Sequence, residues 1–376
     1  MSQPVDADRK ASPPDHALPP VEPPSARFIV QLFVVPAVIV GIIVVVWLLF
    51  NWVANLGADP SKYVKAMARD NEARWQAAAS LADLLNQPRH AEMKKDRRLA
   101  ADMATLLTDE LKRPASEYER MTDRPRSENT EPKKLSAMLE AFLCRALGEM
   151  EVIEALPPLL LAANPDTHAE SSVRRAALEG LSVLLSRLPS SEIADPAEVR
   201  SVLDKSAGDS EPQIRSAAAF ALGVLGDAES AAQLQQMLDD TYPDVRYNAA
   251  TGLSRHGDVA ALPVVLEMLN SQEVDEALQL LDRGELAGLG GNFSEVEREN
   301  IQKAKEATRE QRRILIEVNG LQAAVAIVAA NPGLDVTQLR AAFTLLAEDD
   351  QPAEVRTRAL AALEALDKKP LAAEAN

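Results

Sequence analysis

The sequence predicts an all-α protein: an α-solenoid of stacked helical hairpins preceded by a single transmembrane helix. Three observations predict this. Two copies of one pattern lie within 209–270, displaced by 31 residues with no gap. An uncharged apolar run occupies Phe28 to Phe50. The remainder shows no sustained two-residue alternation, the mark of a half-buried strand.

The first copy of the pattern begins Asp209, Pro212, Ile214, Arg215 and continues Ala218, Ala219, Leu222, Leu225, Gly226, Asp227. The second begins Asp240, Pro243, Val245, Arg246 and continues Ala249, Ala250, Leu253, His256, Gly257, Asp258. Ile214, Ala218, Leu222 and Leu225 share one helical face, because side chains at i, i+4, i+8 and i+11 do so. Pro212 suits a first helical turn, with Asp209 or Ser210 as candidate caps. Gly226 ends the helix in the left-handed conformation, and Asp227 caps the next helix, which carries Leu234, Met237 and Leu238. Neither short helix covers its apolar face alone, so neighbouring pairs must stack.

This Pro, [Ile/Val]-Arg, Ala-Ala, Leu, Gly-Asp series resembles HEAT-type repeats, most of all the short variety named after phycocyanobilin lyases. The resemblance implies a solenoid of helix pairs. It also implies that Arg174, Arg215, Arg246 and Arg356, which recur at one repeat position, contact acidic groups between adjacent units. Asp209 and Asp240 are the candidate partners, and the row is read as a structural ladder rather than a ligand site. Fold resemblance alone assigns no activity.

Along the chain, residues 1–27 are proline-rich and poor in large apolar side chains, which predicts a disordered tail. The run within 28–53 has one clearly polar side chain before Phe50, Gln31, and spans roughly 35 Å as a helix, enough for a bilayer core. Trp47 and Trp52 suit an interface, and Pro36 predicts a modest bend. The run is longer than a signal peptide's apolar region, so a retained single-pass anchor is expected. A cell (inner) membrane is the expected location. Arg9, Lys10 and Arg27 before the span balance Lys62, Lys65 and Arg69 after it, so the side of the soluble part stays open; Arg27, hard against the span, tips it towards export.

The net charge is −17, and four acidic against three basic residues in the tail leave −16 beyond the uncharged span. Such a body repels phosphate backbones, so protein partners with basic surfaces are expected and nucleic acid is not. Cys144 is the only cysteine. No internal disulfide can form, and its register with Leu222 predicts a small buried hydrophobe.

Residues 57–113 predict a helical pair, 61–86 and 89–113, with the basic run Lys94, Lys95, Arg97, Arg98 on a solvated face. Residues 114–133, with three prolines and many charges, predict a linker. Repeats are expected over 134–283. Ala141, Leu147, Gly148, Glu149 and Leu156 match the first copy at an offset of 78, and Val173–Arg174 stand 41 residues before Ile214–Arg215, with the surplus placed at 189–196. After Asn270 the register is lost. Residues 284–318 predict a Gly-rich loop and a charged helix, opened by a capping box of Ser294 and Glu297 and ending near Val318. Such a helix is solvated or, on its glycine hinge, a movable docking element. Helical repeats resume over 319–367, with Val355, Arg356, Ala359 and Leu363 in register, and 368–376 predict a frayed end.

The chemistry is sparse. The relatives implied by the resemblance include enzymes that hold two irons through His-Glu dipeptides, but none of His16, His90, His168 and His256 is followed by glutamate. His90 with Glu92 and His168 with Glu170 are lone pairs, too few for a metal. No catalytic residue, cofactor or small-molecule substrate is expected. The expected function is a membrane-anchored scaffold or adaptor for proteins. The alternative is a repeat-based enzyme or lyase-like accessory factor acting on a protein or bilin.

Overall fold

The structure is a computed structural model that describes Arg27, Val30 and residues 34–55, 60–69, 73–85, 87–113, 132–167, 170–286 and 295–368. The proline-rich tail, most of the expected linker, His16, His168, Gly288, Gly290, Gly291, Ser294 and the end from 369 lie outside the described residues. The chain divides into two compact units, Met1–Asp59 and Pro60–Asn376.

In the first unit, α1 (Val35–Asn55) contains 21 residues. Side chains on every side of it, from Val35 through Ile39, Ile43, Trp47 and Leu49, are exposed. Aqueous solvent penalises an apolar helix uncovered all round, whereas lipid does not. Pro36 stands at the start of this helix, and residues 28, 29 and 31–33 of the expected span lie outside the described residues. The described helix that is long and apolar enough to cross a membrane is instead Gln302–Ala330. It buries Val318, Leu321, Ala324 and Ile327 together with Glu317. Those contacts make it a core helix of the second unit.

Among the described residues, the regular elements of the second unit are all helices. α2 (Ser61–Met67) and α3 (Ala73–Leu85) replace the single helix expected over 61–86. The break has a cause: buried Arg74 donates from Nε to the Met67 carbonyl at 3.2 Å and from Nη2 to Glu110 at 2.6 Å. A charged side chain this deep requires such partners, and its bond ends α2. The helix expected over 89–113 also divides. A 3₁₀ segment, Pro88–Lys95, precedes α4 (Arg97–Lys112), whose N-cap Asp96 accepts from the Arg98 and Leu99 amides.

Next come α5 (Pro132–Gly148), α6 (Leu156–Ala163), α7 (Ser171–Arg187) and α8 (Pro196–Ala207). They are followed by α9 (Pro212–Leu225), α10 (Ala228–Met237), α11 (Pro243–Arg255) and α12 (Leu262–Met268). The last are α13 (Ser271–Leu286), α14 (Glu295–Ala330), α15 (Thr337–Leu346) and α16 (Ala353–Asp367). Helices α3, α5, α7, α9, α11, α14 and α16 pack successively in one layer. Helices α4, α6, α8 and α10, with α12 and α15, form a second layer against it. This is an α-solenoid: each pair hides its apolar stripe between its neighbours, and the core runs along the stack.

Ile214, Ala218 and Leu222 are buried as their spacing predicts. Gly226 (φ 67°) and Gly257 (φ 72°) take the left-handed conformation that ends α9 and α11. Asp227 caps α10 through the Ser230 amide. Neither Asp209 nor Ser210 caps α9. The N-cap is Glu211, with no side-chain bond, while Asp209 accepts the Glu211 amide in the preceding turn.

The expectation for 284–318, a charged helix ending near Val318, needs the largest correction. α14 is one helix of 36 residues that does not stop near Val318. Gly320 lies within this helix. A Cβ on it would stand 3.0 Å from the Met268 Cβ, so glycine admits α12. The second half of α14 is the first-layer helix after α11, and α13 is an extra helix packed on α12 and α14. Gly284 lies inside α13.

Candidate interaction surface

The arginine row stands on the first turns of first-layer helices: Arg174 on α7, Arg215 on α9, Arg246 on α11 and Arg356 on α16. Arg174 Nη2 donates to Asp209 at 2.9 Å, reaching the next repeat. Arg215 does the same towards Asp240, with Nε at 2.7 Å and Nη2 at 2.9 Å. Its Nη1 also donates to the Asp209 carbonyl, 2.9 Å away, closing the loop before its own helix. Arg246 repeats that local bond to the Asp240 carbonyl but turns its outer edge to Glu267 on α12. One period beyond Asp240 stands Ser271, which has no carboxylate to offer and instead donates to Glu317 at 2.7 Å. Arg356 donates to the Asp349 carbonyl at 3.0 Å and approaches that residue's carboxylate at 3.6 Å. Arg174 and Arg215 therefore hold an acid in the loop before the next first-layer helix, Arg246 holds an acid on α12, and Arg356 holds only its own loop.

A second set of cross-unit bonds escaped the sequence reading. The acid after each repeat glycine takes a donor from the preceding unit: Arg200 to Asp227 (Nε, 3.0 Å), Gln235 to Asp258 (2.7 Å) and Lys94 to Glu149 (2.7 Å). Arg187 on α7 adds a bond to Glu149 at 2.9 Å. Burial pushes the pKa values of Asp227 and Asp240 up. Their arginine hydrogen bonds, with the Ser230 and Tyr242 amides, outweigh this and hold both below the ordinary aspartate value. The recurring Gly-Asp pair was the visible signal, but capping alone explained it. The basic run is also mostly spent: besides Lys94, Lys95 pairs with Glu92 and Arg97 with Glu154.

Glycine pairs set how closely the first layer packs. A Cβ on Gly223 would stand 2.6 Å from the Gly252 Cα, and one on Gly148 would stand 2.5 Å from the Gly180 Cα. Gly148 thus admits α7 at close range, and it lacks the positive φ of Gly226, whose register it shares. His256 fills the space that a side chain on Gly226 would need. Cys144 is fully buried, and burial pushes its thiol pKa far up.

Residues 199–281 match the family model of HEAT repeats. The HEAT segment thus begins in α8 and reaches into α13, enclosing both 31-residue copies. No curated protein matches the sequence. Solved structures similar to this chain include an engineered protein (18% identity, TM-score 0.32, covering 84% of this chain and 90% of that one). Human deoxyhypusine hydroxylase in complex with glycerol is similar at 18% identity and TM-score 0.26, covering 78% and 96%. A designed armadillo repeat protein follows at 16% identity and TM-score 0.27, covering 76% and 98%.

A groove of about 360 Å³ is lined by α9 and α11 of the HEAT segment together with α7 and α14 on either side of it. Phe220 and Tyr242 supply its aromatic surface, with Asn248 bonded to Ser216 at 2.9 Å. Its charges pair off, Arg175 with Glu179 and Arg312 with Asp244. Among the described residues, no three His, Cys, Asp or Glu side chains gather as a metal site. Stacked helix faces of this kind provide broad, shallow surfaces suited to polypeptides.

Proposed function

We propose that this chain is a membrane-anchored scaffold whose HEAT-type repeats hold a protein partner, with no catalysis of its own. The repeat fold and family match support a surface for protein interaction. The observation that carries the reading is where the prominent charges go. Arg174, Arg215, Arg200 and Lys94 bond to acids of neighbouring units, and Arg246 bonds to Glu267 on α12. They hold the array together, and the outward helix faces remain for contact. The exposed apolar side chains of α1 support the anchor, and confinement near a membrane raises the effective concentration of whatever the repeats hold.

Crosslinking in intact cells followed by mass spectrometry tests the scaffold, with membrane extraction testing the anchor. The reading expects a polypeptide crosslinked to the repeats and retention in membranes after alkaline washing. A chain lacking residues 1–55 should be released. Purified full-length protein carrying stoichiometric metal or bilin, with no crosslinked polypeptide, would replace the scaffold with an enzyme.

A further inference from the structure

The second layer contains a trough that the first does not. Helix α6 has 8 residues, between α4 with 16 and α8 with 12. A 3₁₀ turn, Ile153–Ala155, leads straight into α6, and side chains of α4 and α8 line the cavity on either side of this segment. Pro157 and Pro158 open α6, and their rings contribute no N–H to the floor. The resulting cavity holds about 750 Å³, against about 360 Å³ for the first-layer groove.

Its surface combines two properties. Ala104, Leu161 and Val202 make the base apolar. Thr105 and Thr108 donate their hydroxyl protons to carbonyls of their own helix, at 2.9 and 2.8 Å, and so contribute little polar demand. The charged lining residues are Asp109, Glu154 and Glu198, and no Lys, Arg or His lines the cavity itself. Glu154 is held by Arg97 at 2.9 Å, while Asp109 and Glu198 have no ion pair among the described residues. The first-layer groove differs, because its charges are internally matched.

We propose that the trough between α4, α6 and α8 seats a partner segment in which an apolar side chain is flanked by lysine or arginine. The proposal rests on the scaffold reading and names its contact surface. Its apolar base offers burial to the anchoring side chain, and the carboxylates at its rim complement the flanking cations. A lining of one charge sign, with Asp109 and Glu198 outside any ion pair among the described residues, selects against acidic segments.

The test uses the full chain in phosphatidylcholine nanodiscs, with empty nanodiscs as the blank. The probe is a fluorescein-labelled twelve-residue peptide of leucine and lysine, read by anisotropy against versions with leucine replaced by serine or lysine replaced by glutamate. The parent peptide should bind, and both altered peptides should bind more weakly. D109K/E198K should reduce affinity at least about tenfold, and D109N/E198Q, which keeps side-chain shape, should reduce it less in the same direction. E354K/D367K on α16 should leave binding unchanged. Absent binding, equal loss in the α16 variant, or indifference to both trough variants overturns the proposal. Crosslinks in cells that map only to the first-layer groove would also sink the trough while leaving the scaffold intact; no crosslinked polypeptide at all would sink the scaffold itself.

Discussion

Arg215 grips Asp240 of the next repeat with two nitrogens, at 2.7 and 2.9 Å, across a boundary where both side chains are mostly buried. The pair is charge-assisted and bidentate, the strong form of such a bond. It joins α9 to the loop before α11, so it stabilises the stack rather than a single hairpin.

Replacing Arg215 with alanine should therefore lower unfolding free energy by about 1.5–3 kcal/mol, the cost of losing hydrogen bonds to a charged group and leaving Asp240 short of a donor. Urea denaturation followed by circular dichroism measures it. A change below about 0.5 kcal/mol would show that the bond is mere surface decoration.

Helix propensity and packing make opposite predictions at Gly223. Alanine favours an isolated helix by about 1 kcal/mol. Here its Cβ would sit 2.6 Å from the Gly252 Cα, a backbone atom that can move only with its helix. G223A should destabilise by about 1–3 kcal/mol, as overpacking does. Gly333 provides the comparison, because a Cβ there would meet nothing within 4 Å: G333A should be near neutral.

Asp227 and Asp240 should make the array acid-sensitive. Their folded pKa values lie below the unfolded value of about 3.9. Their stabilising contribution is complete above that value and is lost as pH falls through the folded one. A D227N/D240N variant should thus be less stable at neutral pH and show a shallower loss of stability below about pH 4. Parallel acid titrations of the two proteins would contradict this.

Glu317 should act in the opposite sense. It is fully buried, and burial raises its pKa against the partial help of Ser271 and Arg313. The charged carboxylate is a burden in the folded state, so E317Q should stabilise the protein at neutral pH. The advantage should fade as pH falls through the raised folded pKa to the ordinary glutamate value, about 4.3. Thermal melts at several pH values would report it, and a gain that persists undiminished at low pH would rule out the titration.

Cys144, the only thiol, offers a clean measure of global opening. Fully buried and with its pKa raised, it should resist maleimide at pH 8 in the native protein and react once denaturant unfolds the array. Rapid native labelling would place it at an opening segment instead.

The sequence alone determined that helices form, where α9 and α11 end, which face of each enters the core, and that Cys144 joins that core. These follow from i, i+4 spacing and left-handed glycines, which act within a few residues. Tertiary structure decided the rest. Gly148, at the end of α5, also admits α7 at close range, and Gly320, inside α14, admits α12. Arg74 divides a helix because Glu110 waits 36 residues away. Arg246 turns to Glu267 because the next period supplies Ser271. α14 runs through its expected stop because α11 and α12 cover it. In each case the deciding atom lies far off in sequence, and a short-range pattern carries no record of which distant group will occupy the space beside it.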